Sequence, residues 1–163
     1  MGNPKLRLGV PADAYEIAVM SRYLIEVGLR GWSWPPDRVA KAIRARETNV
    51  LVVDVKEHLV GFAIMEFGDA TAHLSLFAVK PSHQRCGIGK QMIAWLEDAA
   101  LVAGITTINL ELRVNNFAAR TFYRVLGYKE TSYIPGYYRG IETAVKMTRD
   151  IRRAIPNLTT KKL

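Results

Sequence analysis

The chain has one cysteine and three histidines in 163 residues, which leaves little room for thiol or metal chemistry. A single thiol, Cys86, excludes an internal disulfide and is read as a small filler rather than a nucleophile. His58, His73 and His83 are too scattered for a recognisable ligand spacing, so no metal is expected; His73, near the start of a strand, is read as an edge histidine. Internal repeats, low-complexity tracts and linkers are also absent, as is a secretory pattern or long apolar span ahead of the first polar residues. The expectation is a reducing, cytoplasmic setting with no membrane partner. No helix gathers Lys and Arg on one face with aromatics between them, so the net charge of +8 does not make nucleic acid an expected partner.

What is present is a hydrophobic share of 49%, enough at this length for one core and too little chain for two comfortable domains. Residues 1–150 are expected to fold as a single domain, followed by a basic, solvated tail over 151–163. "KLRLGV" reads as a short strand, and Asp13 then caps a helix in which Ile17, Met20, Leu24 and Val27 recur at helical spacing. "GWSWPP" is an aromatic loop before a second helix started by Pro36 and Asp37. "NVLVVDV" and "HLVGFAIMEFG" form a hairpin about Lys56 and Glu57, and "AHLSLFAV" adds a third strand.

After the stretch "HQRCGIGKQM" comes an amphipathic helix, Lys90 to Ala103, whose apolar face holds Met92, Ile93, Leu96, Ala99 and Ala100. The strand "TTINLELRV" follows, and strand, helix and strand joined this way predict a right-handed parallel unit. "NNFAARTFYRVLGY" is a further helix, and "YKETSYI" with "TAVKMTRDI" pair around the loop "PGYYRGIE". The fold class is therefore α+β: a mixed, mostly antiparallel sheet with one parallel βαβ crossover and flanking helices. A ligand belongs at the carboxyl end of "LSLFAV", beside the parallel pair.

That strand end carries the glycine loop. Gly87 and Gly89 bring bare backbone to a helix N-terminus, where unpaired N–H groups and the helix dipole favour an anion, and Arg85 and Lys90 add full charges. A P-loop would need a glycine at Gln84 and Ser or Thr at Gln91; a dinucleotide fingerprint would need glycine at Met92. Neither fits. Gln84, Gly87 and Gly89, with Val79 and Pro81 upstream, resemble the Q/R-x-x-G-x-G/A signature of the GNAT family of N-acetyltransferases. Asn116, Ala119, Tyr123, Gly127 and Tyr128 resemble the family's later N-x-x-A-x-x-x-Y-x-x-x-G-Y pattern, in the proper order. The likeness runs from about Leu51 to Arg149 and is greatest to the ribosomal-protein-alanine N-acetyltransferases.

The resemblance implies the GNAT fold, acetyl-CoA as cofactor, and transfer of its acetyl group to a primary amine in a ternary complex. It puts the pyrophosphate against Gln84, Arg85, Cys86, Gly87, Ile88, Gly89 and Lys90, the pantetheine arm along Phe77, Ala78 and Val79, and the arm's asparagine at Asn116. As a residue, Asn116 serves equally as an N-cap. Glu111 shares a strand face with Asn109 and Arg113, opposite Ile108, Leu110 and Leu112; the resemblance makes it the general base. It makes Tyr123 the general acid, a phenol near ~10 giving its proton to a thiolate whose thiol lies near ~8.5. Trp32, Trp34, Tyr137 and Tyr138 are expected to line the acceptor site. The acceptor is expected to be a protein or peptide N-terminal α-amine, with a small amine or non-catalytic acyl-CoA binding as alternatives and a homodimer left open.

Overall fold

The computed structural model describes residues 2–154. Residues 155–163, most of the expected basic tail, lie outside the described residues. Seven strands form one sheet in the order β1-β2-β3-β4-β5-β7-β6: β1 Lys5–Leu8, β2 Thr48–Val55, β3 His58–Phe67, β4 Thr71–Val79, β5 Thr107–Arg113, β6 Lys129–Tyr138 and β7 Glu142–Asp150. Every neighbouring pair is antiparallel except β4 and β5, which are parallel and joined through the helix α3, Ile88–Val102.

Each face of the sheet has its own core. On one side α3 and α4 (Phe117–Val125) cover Leu51, Val53, Ala63, Met65, Leu74, Ile108, Leu110, Val145 and Met147. On the other, α1 (Ala14–Met20) and α2 (Pro36–Arg44) cover Val50, Val52, Phe62, Ile64, Leu76 and Ala78. Of the strands described, only β2, β3 and the end of β4 give buried apolar residues to the second core. The second face of β5 and β7 instead presents Asn109, Glu111, Arg113, Lys146 and Thr148, none of them buried, so this half of the sheet is left for something other than packing.

Local details differ from the sequence reading where tertiary partners intervene. Asp13 makes no side-chain bond to the start of α1; it accepts from the Val10 N–H at 2.8 Å and pairs with Arg7, which also binds Asp54. The first helix continues as a π turn over Ser21–Ile25, so its spacing widens beyond Met20. Lys56 and Glu57 both take positive φ, the geometry a two-residue hairpin requires. Ile151, at the start of the expected tail, is fully buried, and its N–H donates to Thr106 O at 3.0 Å.

Candidate active site

The parallel pair does not stay together. β4 and β5 are in register only from Thr71 with Thr107 to Leu74 with Leu110. Beyond that, Glu111–Arg113 continue to pair with β7 and Leu76–Val79 with β3, so the strands separate and the β5-facing edge of Ser75–Val79 has no partner strand. A bulge causes the parting. Met65 pairs with Leu74 and Ile64 with Leu76, leaving Ser75 as an extra residue. Leu74 then packs into one core and Leu76 into the other, which residues two apart in a regular strand cannot do. The free edge runs along Phe77, Ala78 and Val79; the Val79 carbonyl is held by the Gln84 side chain, and the remaining outward-facing backbone groups are open to an extended ligand.

The loop at the end of this edge is built as an anion cradle. Arg85 has φ 58° and Gly87 φ 88°, alternations that turn successive N–H groups to one side. The first helical bond runs from Gln91 N–H to Gly87 O at 3.1 Å, so the N–H groups of Arg85 to Lys90 have no backbone acceptor among the described residues. Gln84 ties the loop to the strand, its side-chain N–H donating to Val79 O at 2.8 Å, and Ile88 anchors it in the core. Cys86 is exposed, its thiol directed to His83 O. The two glycines differ. A Cβ on Gly87 would meet nothing within 4 Å, so this position faces open space. A Cβ on Gly89 would meet Phe122 Cζ at 3.2 Å, so its smallness serves packing of α3 on the aromatic cluster rather than anion approach. Asn116 caps α4, its Oδ1 accepting from the Ala119 N–H at 3.2 Å.

Tyr123 lies on the α3/α4 side of the gap. Its ring packs edge-on against Phe77, Phe122 and Tyr128 with centroids 5.1 to 6.1 Å apart, and the residue is 6% exposed. Burial pushes the phenol well above the ordinary tyrosine value, with the nearby Tyr138 adding to the shift. The small gap expected between phenol and thiol therefore widens on the phenol side. A thiolate released in the same apolar surroundings would suffer the same desolvation, which brings the two back toward balance. The hydroxyl has no hydrogen bond within the described residues. Side-chain atoms there that are both sealed and without a hydrogen bond belong to the ion pair of Arg113 and Glu142, so the Tyr123 hydroxyl keeps an opening.

Glu111 projects from the opposite face of the sheet. Its strand alternates buried Ile108, Leu110 and Leu112 with half-buried Asn109, Glu111 and Arg113. His73 Nε2 contacts Glu111 Oε2 directly. The reading of His73 as an edge histidine is overturned: β4 is interior, and His73 sits between Glu66 of β3 and Asn109 of β5. Its ring is raised above the ordinary histidine value, first by the bond to Glu111 and against the opposing effect of burial. Tyr137, expected in a loop, belongs to β6 and lies close enough to Glu111 for that carboxylate, after burial, to raise its phenol.

The β6–β7 hairpin and the tryptophan loop stand over this face. Ile134 pairs with Ala144 and Tyr138 with Glu142, so Pro135, Gly136 and Tyr137 form a bulge with Gly136 at φ 68°. The bulge brings the Tyr137 and Tyr138 rings to 4.9 Å, nearly perpendicular, whereas neighbours in a regular strand point apart. Arg139, beyond them, bonds Ser33 Oγ of the tryptophan loop and reaches Glu26 at 4.0 Å. Trp32 is half-buried, its indole N–H donating to Ala18 O at 3.2 Å. Trp34 departs from expectation: it is buried in the α1/α2 core under Arg38, because the two prolines after it turn the chain into α2.

Comparison with known proteins agrees with this geometry. Residues 14–128 match the acetyltransferase (GNAT) family. The chain belongs to the GNAT family. Acetyl-CoA is accordingly its cosubstrate and acetyl transfer its chemistry. It is 30% identical over 132 residues to the [ribosomal protein bS18]-alanine N-acetyltransferase of Escherichia coli, covering 79% of this chain and 88% of that one. It is 31% identical over 99 residues to an uncharacterized N-acetyltransferase of Methanocaldococcus jannaschii, a match spanning 60% of this chain and 64% of the relative. The fold is that of Ard1 from Thermoplasma volcanium, with a TM-score of 0.79 at 22% identity over 90% of this chain and 97% of that one.

Three features of this GNAT chain are absent from the sequence reading. Glu97, on the buried side of α3, forms two bonds to Arg149 at 2.7 and 2.8 Å and accepts from the Tyr128 hydroxyl at 3.4 Å. Glu26 holds the tryptophan loop by accepting from the Ser33 N–H at 2.6 Å. The third is the contact of His73 with Glu111 across 38 positions of sequence, which period-2 alternation places on one face but cannot bring together. No helix among the described residues is long and apolar enough to cross a membrane.

Proposed function

We propose that the chain is an N-terminal acetyltransferase, moving the acetyl group of acetyl-CoA to the α-amine of a protein or peptide that begins with a small residue. The observation that carries this reading is the division of the site by the sheet. The free edge of β4, the cradle and Tyr123 belong to the α3/α4 side of the β4–β5 gap, while Glu111 belongs to the helix-free face beneath the β6–β7 hairpin. Donor and acceptor would then approach from opposite faces and meet where the strands part.

On this reading, the N–H groups of Arg85 to Lys90, with Lys90 and the α3 dipole, hold the pyrophosphate. Phe77 to Val79 hold the pantetheine arm by backbone bonds, and Asn116 stands beside it. Gln84 and Ile88 hold the loop in shape for that task. Glu111 takes the proton of the incoming amine, and Tyr123 protonates the departing sulfur. Tyr137, Tyr138 and Trp32 border the acceptor, with Arg139 bridging the two walls. Residues 1–150 act as a single domain.

An α-amine, near ~8, yields its proton to a carboxylate far more readily at neutral pH than a lysine side chain near ~10.4. The E. coli relative's named activity on an alanine terminus points the same way. Incubation with acetyl-CoA and peptides that carry both an N-terminal Ala or Ser and an internal lysine, followed by mass spectrometry, tests the proposal. Acetylation of the α-amine is expected; modification confined to lysine side chains or to small free amines would overturn it.

A further inference from the structure

Acetyl transfer to an amine that enters as an ammonium ion forms one C–N bond, breaks one C–S bond and leaves an amide, a thiol and one proton. That proton must leave the base before the next acceptor arrives. The Glu111 side chain is 13% exposed and so hands protons to bulk water poorly.

A chain of groups leads away from it along the helix-free face. His73 Nε2 contacts Glu111 Oε2, His73 Nδ1 lies 3.1 Å from Ser75 Oγ, and Ser75 Oγ donates to Glu66 Oε2 at 3.0 Å. The Glu66 side chain is 50% exposed. Hydrogen accounting fixes the donors: the single Ser75 proton is directed to Glu66, so Nδ1–H donates to Ser75, and an ionised Glu111 accepts from Nε2–H. His73 in this arrangement carries both ring protons between two carboxylates, the state reached once Glu111 has given up a captured proton; the receiving state is the neutral ring with Nδ1–H toward Ser75 and Nε2 bare. Ser75 takes part because the β4 bulge, which also opens the gap, makes it the extra residue beside Leu74.

We infer that His73, Ser75 and Glu66 are the proton exit of the enzyme: neutral His73 takes the proton of Glu111 at its bare Nε2, the imidazolium passes Nδ1–H to Ser75 Oγ as the Ser75 proton passes to Glu66 and water, and the ring, 38% exposed, returns its remaining proton from Nε2 to Nδ1 through solvent before the next turnover. The inference rests on the reading of Glu111 as the base. The raised ring of His73 agrees with it, since a proton captured at Glu111 then moves readily to the imidazole and leaves the carboxylate ionised. Other groups facing this unit are Asn109 and Arg113 on β5, Lys146 across from Glu111 on β7, and Tyr137 of the hairpin.

The test is steady-state kinetics of thiol release with an alanine-initiated peptide or, should that not react, the small amine that does. His73→Ala and Ser75→Ala are each expected to lower kcat by about 10²-fold, the lower end of what a positioned acid–base group contributes. In both, kcat should recover with increasing concentration of 4-methylimidazole buffer at fixed pH, a response that a merely positional role would not give. His73→Gln keeps a donor for Glu111 without relaying a proton and should stay slow. Full activity of His73→Gln, wild-type kcat in both alanine variants, or losses indifferent to buffer concentration would overturn the relay. Glu111→Gln separates the two readings: if it is inactive while the His73 and Ser75 variants match wild type in every buffer, the exit alone falls. If Glu111→Gln itself matches wild type, the base assignment falls and the exit with it.

Discussion

Removing one oxygen from Tyr123 should make the protein more stable and the enzyme slower. The hydroxyl is surrounded by Phe77, Phe122 and Tyr128 and bonds to nothing within the described residues, so folding strips it of water without a replacement partner. A buried polar group left unsatisfied costs about 1–3 kcal/mol. Because the Tyr123 hydroxyl retains an opening, the lower end applies, and Tyr123→Phe should gain about 1 kcal/mol, or roughly 2–4 °C in Tm for a domain of this size. The ring contacts are unchanged, so no cavity or strain offsets the gain. The same substitution deletes the proposed proton donor, and kcat should fall by about 10² or more with the KM for acetyl-CoA nearly unchanged. Thermal denaturation of the free enzyme and thiol-release kinetics read the two halves separately. A lower Tm would mean that the hydroxyl is bonded in solution and structural, and a wild-type kcat would remove Tyr123 from the chemistry; either result refutes the reasoning.

Gly87→Ala forces a side chain to φ 88° in open space and should cost about 1–2 kcal/mol in strain. It should also abolish the rise in Tm that acetyl-CoA gives the wild type, whereas Gly89→Val should lower stability through Phe122 at 3.2 Å, and differential scanning fluorimetry with and without ligand distinguishes them. Arg149→Met leaves Glu97 buried without its partner and should destabilise by about 3 kcal/mol at neutral pH. Burial holds the folded Glu97 carboxyl above its ordinary 4.5. Its contribution to stability is thus fully present below pH 4.5 and is lost as pH rises through the raised folded value, so Arg149→Met should recover toward wild type in acid, as urea midpoints across pH will tell. Arg139→Ala cuts the link from the hairpin to Ser33 and Glu26 and should raise the acceptor KM several-fold with kcat retained; an unchanged KM would show that the two walls do not act together.

The sequence by itself determined what depends on neighbours along the chain. Alternation of period two fixed the buried and open faces of "TINLELR", and spacing near 3.6 fixed the buried stripe Met92, Ile93, Leu96 and Ala100. Glycine at positive φ marked the loop at Gly87, and the order of strands and helices prescribed a parallel pair inside an antiparallel sheet. Side-chain chemistry that can be named from local pattern, such as the Asn116 cap, was legible too. Tertiary structure alone decided where that pattern breaks and which distant residues meet. The bulge at Ser75 depends on the register of β3 against β4, and with it come the parting of β4 from β5 and the change of core between Leu74 and Leu76. Trp34 reads as exposed from its loop and is buried because α1 and α2 close around it. Glu97 breaks an apolar stripe and is tolerated only because Arg149, 52 positions away, folds back to neutralise it. His73 comes to Glu111 only when β4 is laid beside β5, since hydrogen bonds between strands carry no trace in either strand's own periodicity.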